Sequence, residues 1–454
     1  MKRVDYDLIV IGSGDAGSEA ALMAAKAGKK VALIEADKWG GSCLNYTNVP
    51  QGALFHATQV MQQAIEGAKY GISSTNLRYN FPSLNNWKKI AMRRAGANSK
   101  KPYEEAGIVC LHGRARFISK KEVAVGEHTY SAKRFLVATG ASILDTGIKI
   151  PENVTYLLPE NACDIARLPR SIFVVGGGST GCELAQYYAT LGVETVIADI
   201  AGRLLPREDE EVGQVLDVLF NNNKIRVLTQ SRVTAVENDG TGKRVIFMRG
   251  GQEKSIKVDE VVFCTGSAPN VDLGLENAGV KFDRNGIKVD KTMRTNVKHI
   301  YAAGDVVGGH SSTEKALLEA RIAATHIIQR SKSTVDYNGL IRITNVHPEV
   351  ACIGQTEDDC IKSDKKIAKI VLPLNAVQKS NTSDSRLGFI KLICDKNDKL
   401  IGATLVAPHA SVVIQELALA MRYDMSLEEI CNTPHVANGW GEIIRLACEQ
   451  LAYR

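Results

Sequence analysis

The sequence has 454 residues, of which 44% are hydrophobic and 23% are charged. This length exceeds what one hydrophobic core organises, so we expect two to four domains. The net charge of +6 is spread along the chain without a long basic run, which argues against nucleic-acid binding. No stretch approaches the roughly 18 apolar residues of a membrane helix. We therefore expect a soluble, cytoplasmic protein.

The first elements predict a strand, a glycine-rich turn, a helix and a second strand. Residues 8–11 and 31–34 have the apolar character of strands, and residues 18–27 that of a helix. In such a unit the first glycine forms the tight turn, the second admits a pyrophosphate, and the third lets the helix pack on the strand. A carboxylate at the end of the second strand holds a ribose. The residues that this pattern assigns to a dinucleotide are Gly12, Gly14, Ala16, Gly17 and Glu35.

The same unit occurs a second time. Residues 172–175 and 195–198 predict strands around a helix at residues 182–191, and the second strand ends at Asp199. The glycines of its turn are Gly176, Gly178 and Gly181. Glu35 follows Gly12 by 23 positions, and Asp199 follows Gly176 by the same number. One such turn is weak evidence, but two complete units predict that one chain binds two dinucleotides.

Three later strands end in residues suited to nucleotide contacts. Two of them end in Thr139-Gly140 and Thr265-Gly266, and a third ends in Gly304-Asp305. Ligands bind at the carboxyl ends of strands in open parallel sheets. Asp305 is therefore a candidate contact to the ribityl chain of a flavin.

Ten cysteines are scattered along the chain without a C-x-x-C pair or a zinc-like spacing. They are Cys43, Cys110, Cys163, Cys182, Cys264, Cys352, Cys360, Cys394, Cys431 and Cys448. Most are interpreted as small buried hydrophobic residues in a reducing compartment. Only Cys43 lies in a setting where chemistry is plausible.

After about residue 336 the pattern changes to strands separated by short turns. Strands are predicted at 349–354, 366–372, 388–395 and 400–407, followed by two helices. This predicts an α+β domain. The first helix has an apolar face, which is more often packed within its own subunit than against a partner, and the second begins with a capping box at Ser426 and Glu429. The apolar face consists of Val413, Leu417, Ala420 and Met421.

The order of these motifs resembles the pyridine nucleotide-disulfide oxidoreductases over essentially the whole chain. The resemblance implies an α/β fold with two Rossmann-type domains, one for FAD and one for NAD, and a C-terminal α+β dimerisation domain. The implied segments are 1–148 and 271–336 for FAD, 149–270 for NAD(H), and 337–454 for dimerisation. It also implies a homodimer. The FAD contacts that it adds are Gly41, Ser42, Gly113, Thr139, Gly140, Asp305 and Thr313, and the NAD contact that it adds is Gly266.

The redox motif of the family is incomplete in this chain. The family has two cysteines separated by four residues, whereas here Cys43 is followed by Asn48. Without the second cysteine no intramolecular disulfide forms, and reduced flavin cannot pass its electrons through sulfur. The family lysine is replaced by Gly52, although its usual partner persists as Glu183. Cys43 is either a lone redox thiol or, as we favour, a vestigial residue at a helix start.

The family also takes a catalytic histidine from the partner subunit, in the motif His-Pro-Thr-x-x-Glu. Alignment through Thr433 and Glu442 places Ala437 and Asn438 where His-Pro is expected. His435 lies two positions earlier and takes the role only if the loop is shifted. The proton donor to a leaving thiol is thus predicted to be missing as well.

These departures predict an FAD-dependent NADH oxidoreductase that passes electrons directly to a small acceptor, quinone-like for instance. Tyr46 and Trp440 are either acceptor contacts or packing residues. Asp199 would repel the 2′-phosphate of NADPH, so NADH is expected to be preferred at least tenfold, about 1.4 kcal/mol. The alternatives are a dihydrolipoyl dehydrogenase, a soluble transhydrogenase, a peroxidase or oxidase that uses Cys43, and a flavin-binding regulatory protein without turnover.

Overall fold

The computed structural model describes residues 5–73, 76–144 and 147–452. The chain forms two compact units. The first consists of Met1–Leu54, Asn80–Leu144 and Gly266–Asp336, and the second of Phe55–Tyr79, Asp145–Thr265 and Tyr337–Arg454. Each unit contains one glycine-rich repeat. The domain bounds at residues 148, 270 and 336 stay a prediction.

The first 144 residues contain the first repeat and the strands that extend its sheet. The elements are β1 (Tyr6–Ile11), α1 (Asp15–Lys26), β2 (Val31–Glu35), α2 (Gly41–Asn45), α3 (Asn48–Glu66), a 3₁₀ turn (Gly67–Tyr70), α4 (Phe81–Arg94), α5 (Lys101–Glu105), β3 (Val109–His112), β4 (Ala115–Ser119), β5 (Glu122–Val125), β6 (His128–Val137) and β7 (Ala141–Ile143).

The next segment contains the second repeat and a three-stranded antiparallel sheet. The elements are α6 (Pro159–Ala162), β8 (Ser171–Val175), α7 (Ser179–Thr190), β9 (Glu194–Ala198), α8 (Glu210–Asn222), β10 (Arg226–Leu228), β11 (Ser231–Asp239), β12 (Gly242–Arg249), β13 (Gln252–Val258) and β14 (Glu260–Phe263).

The chain then returns to the first unit. The elements of this return are β15 (Ser267–Pro269), α9 (Leu275–Ala278), β16 (Phe282–Asp283), β17 (Gly286–Ile287), β18 (Ile300–Ala302), a 3₁₀ turn (Asp305–Val307) and α10 (Thr313–Ile328).

The C-terminal segment is built around a five-stranded antiparallel sheet. Its elements are β19 (Ile341–Thr344), β20 (Glu349–Gly354), α11 (Glu357–Lys362), β21 (Ile367–Pro373), a 3₁₀ turn (Leu374–Ala376), α12 (Gln378–Thr382), β22 (Phe389–Asp395), β23 (Leu400–Ala407), α13 (Ala410–Arg422), α14 (Leu427–Cys431) and α15 (Glu442–Ala452).

A parallel sheet forms the centre of the first unit. Its strand order is β3-β2-β1-β6, with β18 paired to β6 and the antiparallel strands β5 and β4 beyond β6. Ile9 of β1 lies opposite Ala32 and Phe135 in register. The side chains of Ile9 and its neighbours are fully buried, as expected for a parallel strand covered on both faces. Strand β1 is thereby fixed at the centre, and its carboxyl end carries the first glycine turn.

The second unit repeats this arrangement with a parallel sheet of order β10-β9-β8-β14. Phe173 of β8 lies opposite Val196 and Val261. The unit also contains the antiparallel sheet β11-β12-β13 and the C-terminal sheet β19-β20-β23-β22-β21. Among the helices that the structure describes, none is long and apolar enough to cross a membrane.

The α/β fold with two Rossmann-type units and a C-terminal α+β segment is confirmed. The apolar face of α13 packs within its own unit, with Leu417, Ala420 and Met421 buried and Val413 partly buried. The capping box of α14 is formed, because Ser426 and Glu429 bond reciprocally. The predicted count of two late helices is wrong, since α15 follows α14 as a third.

Candidate dinucleotide sites and the surroundings of Cys43

The three glycines of the first turn have different surroundings. Gly12 has a φ of +100°, and a Cβ added there would lie 2.2 Å from the carbonyl oxygen of Ala138. A Cβ on Gly17 would lie 1.8 Å from the carbonyl oxygen of Gly12. A Cβ on Gly14 would meet only the Cα of Gly41, at 4.0 Å. The first and third glycines are therefore required by close packing, while the second faces open space.

The second turn has the same geometry. Gly176 has a φ of +111°, and its added Cβ would lie 2.4 Å from the carbonyl oxygen of Cys264. A Cβ on Gly181 would lie 1.9 Å from the carbonyl oxygen of Gly176, whereas Gly178 has nothing within 4 Å. Both turns thus leave a cradle at the start of a 12-residue helix. Backbone N–H groups and the helix dipole favour an anion there, so the residues present fit a dinucleotide pyrophosphate in each unit.

The carboxylates at the ends of β2 and β9 are also held alike. Glu35 Oε2 accepts hydrogen bonds from the backbone N–H and the hydroxyl of Ser13, at 2.9 and 2.5 Å. Asp199 Oδ2 accepts from the backbone N–H of Gly177 at 2.6 Å, and its Oδ1 accepts from the N–H of Ala201 at 2.7 Å. Each carboxylate is therefore oriented at the edge of its glycine turn.

Other predicted nucleotide contacts lie at the strand ends around these turns. Gly113 donates its N–H to the carbonyl of Glu35 at 2.8 Å. Thr139 donates its hydroxyl to the carbonyl of Asn270 at 2.7 Å, and Asn270 returns a hydrogen bond from its amide at 3.0 Å. Gly140 and Gly266 have positive φ and nothing within 4 Å of an added Cβ. Open space at both glycines leaves room for a nucleotide.

A buried ion pair fixes the segment that carries Asp305. Lys315 and Glu319 lie on one face of α10, 3.0 Å apart. Glu319 accepts from the N–H of Gly304 at 2.8 Å, and Lys315 donates to the carbonyl of the same residue at 3.3 Å. The N–H and the carbonyl of Gly304 are therefore both hydrogen-bonded to this ion pair. Burial raises the pKa of Asp305, the next residue. Neither residue was predicted from the sequence, although the i, i+4 spacing of a lysine and a glutamate is typical of an ion pair on a helix.

The structure brings Cys43, Asn48 and Thr313 together. Asn48 donates from its side-chain amide to the Thr313 hydroxyl at 3.1 Å. That hydroxyl donates to Asp15 Oδ2 at 2.8 Å and lies 3.9 Å from the sulfur of Cys43. Asp15, which the sequence analysis did not single out, thus belongs to the cluster. Nearby Gly41 has a φ of +65°, and an added Cβ would lie 2.5 Å from the Cα of Gly14. Ser42, on the same short helix α2, is exposed.

Cys43 is an unactivated thiol in this setting. Burial, followed by the neighbouring Asp15 carboxylate, raises the pKa of its thiol to about 11. Burial also raises the pKa of Asp15 itself. The structure describes all ten cysteines, and each is a free thiol.

Glu183 lies in the second unit as a buried carboxyl group. Its Oε1 accepts from the backbone N–H and the amide of Asn345, at 2.6 and 3.0 Å. Burial raises the pKa of Glu183 to about 7, against the effect of these two hydrogen bonds. Gly52, at the position of the family lysine, has nothing within 4 Å of an added Cβ.

His435 and Glu442 lie in the C-terminal segment. The Nδ1 of His435 is 2.7 Å from the carbonyl of Thr433, and its Nε2 is 2.8 Å from Oε1 of Glu416. Both ring nitrogens therefore face acceptors of their own chain. Glu442 lies 3.5 Å from Arg445 through Oε1, and its buried Oε2 has no hydrogen-bond partner in the described part of the chain.

Two aromatic candidates have local contacts. Tyr46 donates its hydroxyl to Asp37 at 2.6 Å, and the ammonium of Lys38 lies 4.4 Å from the centre of its ring. Trp440 is partly buried against the C-terminal core. Each of the two residues thus has contacts within its own chain, and their role as acceptor contacts stays a prediction.

Two dinucleotide cradles, each with its own carboxylate, and a cysteine-bearing helix beside the first define a flavin- and pyridine-nucleotide-dependent oxidoreductase fold. Residues 6–323 match the sequence model of the pyridine nucleotide-disulphide oxidoreductases, and residues 341–447 match the dimerisation domain of the same proteins. The chain belongs to this family, whose members are FAD-dependent oxidoreductases.

Relatives and solved structures align along nearly the whole chain. A dihydrolipoyl dehydrogenase of Bacillus subtilis is 32% identical, with 98% of this chain and 96% of the relative covered. A mercuric reductase of Staphylococcus aureus is 30% identical over 94% of this chain and 79% of its own. The crystal structure of LpdA from Mycobacterium tuberculosis is 27% identical, with a TM-score of 0.88 and coverage of 98% and 99%. The predicted family resemblance is confirmed.

Proposed function

We propose that the protein is an NADH oxidoreductase that passes electrons from FAD directly to a small acceptor, such as a quinone, without a redox disulfide. The hydrogen bond between Asn48 and Thr313 carries this proposal. Asn48 stands where the family resemblance implies the second redox cysteine, and an amide cannot form a disulfide. Electron transfer through a pair of thiols would therefore need a second sulfur that this position does not supply.

The state of Cys43 supports the same proposal. A thiolate, rather than a thiol, is the nucleophile in sulfur chemistry. With a pKa of about 11, Cys43 is almost entirely protonated near neutral pH. Its surroundings thus disfavour the peroxidase and oxidase alternatives, which need a reactive thiolate.

The chain's own residues would position the reactants. FAD, when bound, supplies the centre that takes hydride from NADH and returns electrons to the acceptor. The cradle at Gly14 and the Gly304-Asp305 segment would hold FAD, and the cradle at Gly178 would hold NADH. The amide of Asn48 has a second N–H besides the one bonded to Thr313. Because Asn48 is exposed, this N–H can orient a carbonyl oxygen of the acceptor.

Asp199 supports a preference for NADH over NADPH. Its carboxylate is fixed at the edge of the second glycine turn by two backbone N–H groups. A carboxylate in this position accepts a hydrogen bond from a ribose 2′-hydroxyl and repels a 2′-phosphate.

We further propose a homodimer, in line with the matched dimerisation domain. The face of α13 opposite its packed side exposes Val412 and Leu419, and Tyr423 directly after the helix extends this face; their exposed fractions are 69, 58 and 73%. Their spacing places them on one stripe of the helix, and an apolar stripe of this kind suits a subunit interface. In the family arrangement, His435 and Glu442 would then approach the site of the other subunit.

Dihydrolipoyl dehydrogenase activity is the second candidate, because relatives of 30 to 32% identity carry that name. That reaction exchanges a substrate dithiol with a protein disulfide. Cys43 would have to perform it without the partner cysteine and with a protonated thiol. We therefore favour direct transfer.

The decisive experiment mixes the flavin-loaded protein with NADH in the absence of oxygen and then adds one acceptor at a time. Direct transfer predicts rapid bleaching of the flavin by NADH and rapid recovery with a soluble quinone. Lipoamide, NADP⁺, peroxide, oxygen and mercuric ion complete the panel. The matched variant Cys43→Ser should keep quinone turnover within about twofold.

Three results would contradict the proposal. Lipoamide turnover as fast as that of the quinone would indicate a dehydrogenase that works without the second cysteine. Loss of turnover in Cys43→Ser would indicate thiol chemistry. A flavin that NADH does not bleach would indicate a regulatory protein without enzymatic turnover.

A further inference from the structure

A polar cavity of about 490 Å³ lies within the second unit. Residues of α3 between Phe55 and Glu66, helix α7 and the end of α8 form part of its wall. The rest of the wall consists of Lys69, Asn345, His347, Pro348, residues 384–387 and Pro408. Within the wall, Glu183 and Tyr187 are one turn apart on α7. Neither the fold nor the proposed electron transfer accounts for this cavity.

A largely buried carboxyl group lines the cavity. Glu183 is 9% exposed, and both of its hydrogen bonds, from the backbone N–H and the side-chain amide of Asn345, go to Oε1. Removing an ionised carboxylate from water is unfavourable unless it is paired. A ligand that offers a hydrogen bond or a positive charge would relieve this cost.

Two aromatic rings line the same cavity as this acid. The ring centres of Phe55 and Tyr187 are 5.6 Å apart with an angle of 47° between the planes. Both residues line the cavity. The face of an aromatic ring attracts cations, and this attraction increases when the cation is removed from water. An acid next to aromatic rings is therefore suited to an organic cation.

The other charged groups around the cavity largely cancel one another. Lys69 lies 3.6 Å from Glu66 and 3.4 Å from Asp384, and Arg386 lies 3.7 Å from Asp384. The end of α8 and the residue after it contribute the uncharged Leu219, Asn222 and Asn223. Burial lowers the pKa of His347, which keeps its imidazole neutral near pH 7. The wall thus has one negative charge in excess when Glu183 is ionised.

We propose that this cavity binds a small organic ammonium ion with an aromatic or short alkyl body, whose ammonium group pairs with Glu183 beside Phe55 and Tyr187. No residue of the two glycine turns lines this cavity, and the proposal does not depend on the proposed electron transfer. Burial holds the pKa of Glu183 at about 7. A cation binds the ionised carboxylate, so its affinity should rise between pH 6 and pH 8.

Calorimetric titration of the flavin-loaded full-length protein with benzylamine tests the proposal, with benzyl alcohol as the uncharged ligand of similar shape. We expect benzylamine, which stays cationic across this range, to bind about tenfold more tightly at pH 8 than at pH 6, in line with the ionisation of one carboxyl group. Benzyl alcohol should bind at least about tenfold more weakly at pH 8. Saturating NAD⁺ should leave benzylamine binding unchanged.

Two variants separate a local contact from a general effect of charge. Glu183→Gln keeps the acceptor for Asn345 and should abolish the pH dependence and most of the affinity. Asp384→Asn removes one negative charge from the rim and should change the affinity by less than about threefold. Unchanged flavin content would show that both variants are folded.

Four outcomes would overturn the proposal. These are equal binding of benzyl alcohol, unchanged binding by Glu183→Gln, displacement by NAD⁺, and absence of any binding heat at pH 8. Displacement would assign the cavity to the nucleotide site. Absence of binding would mean that water or a second subunit fills the cavity. Flavin reduction by NADH is measured separately, so failure of this proposal leaves the proposed function standing.

Discussion

The side-chain amide of Asn48 lies 3.1 Å from the hydroxyl of Thr313, to which it donates a hydrogen bond. The sulfur of Cys43 is 3.9 Å from the same hydroxyl. Residues 43 and 48 therefore direct their side chains to one point, although helix α2 ends and α3 begins between them. This convergence is the local geometry that a pair of redox thiols would use.

The variant Asn48→Cys should form a disulfide with Cys43 upon mild oxidation. Both side chains reach the Thr313 hydroxyl, and a disulfide requires Cβ atoms about 3.5–4.5 Å apart. Thiol titration of the unfolded protein should show two fewer free thiols after oxidation than after reduction. NADH should reduce the new disulfide if the flavin lies beside it.

The variant Asn48→Ser controls for the loss of the amide and should titrate identically before and after oxidation. In the double variant Cys43→Ser with Asn48→Cys, the new thiol has no partner and should stay reduced. If Asn48→Cys keeps all of its thiols free under oxidation, the two side chains do not approach each other as described.

The glycines at 178 and 181 should respond in opposite ways to substitution. Gly178→Val places its side chain in open space, so the protein should fold, but the Michaelis constant for NADH should rise at least about tenfold because the cradle is filled. Gly181→Ala directs a Cβ to within 1.9 Å of the Gly176 carbonyl. Such overpacking should cost about 3 kcal/mol or more in the free energy of unfolding.

Chemical denaturation and steady-state kinetics measure the two effects. Gly202→Ala is the control for a glycine substitution in the same unit, because the nearest atom to its added Cβ is Nε2 of Gln230, at 3.8 Å. A stable Gly181→Ala protein, or a Gly178→Val protein with unchanged NADH kinetics, would contradict the assigned roles.

Glu183 should make stability depend on pH. Its pKa is raised by burial from 4.5 to about 7, so the folded state holds a proton that the unfolded state releases. The stabilisation is complete below pH 4.5 and is lost as the pH rises to about 7. Above that pH, the variant Glu183→Gln should exceed the unchanged protein in free energy of unfolding, by up to about 3 kcal/mol.

Urea unfolding at pH 5 and pH 8 measures this difference. The exposed Glu428→Gln variant changes the net charge equally and serves as the control. The difference in free energy of unfolding between Glu183→Gln and the unchanged protein could instead be the same at pH 5 and pH 8. The carboxyl group would then ionise without cost in the folded protein, which requires a compensating cation.

The two nucleotide units could be predicted from the sequence because their determinants are local. The turn, the helix and the terminal carboxylate fall within a short stretch, and the φ values of Gly12 and Gly176 follow from the tight turn itself. The strands β20 and β23 were also predicted with the bounds that the structure has. Their short apolar runs and the turns beside them are local signals.

The cluster around Cys43 could not be predicted in the same way. Thr313 is separated from Asp15 by 298 positions and from Asn48 by 265. No periodicity relates residues so distant, and only the folded sheet brings α10 beside the first glycine turn. The effect of Asp15 on the pKa of Cys43 depends on the proximity of the two side chains in the fold and comes second to burial, and neither is visible in the sequence. Helix α15 was not predicted from the sequence, although its buried residues have a helical spacing: Ile443, Ile444, Ala447, Cys448 and Leu451.

Asp199 should determine the choice between NADH and NADPH. Its carboxylate is held by the N–H groups of Gly177 and Ala201, so it cannot turn away from a ribose without losing both hydrogen bonds. We expect kcat/KM for NADH to exceed that for NADPH at least tenfold, about 1.4 kcal/mol. Asp199→Asn keeps the shape and removes the charge, so the preference should fall mainly through faster reaction with NADPH. Anaerobic flavin reduction by each nucleotide measures both constants without involving the acceptor.

The matched variant Glu35→Gln alters the equivalent carboxylate of the first repeat and should lower flavin content instead. Equal use of both nucleotides by the unchanged protein would mean that Asp199 does not contact the ribose, and would favour the transhydrogenase alternative.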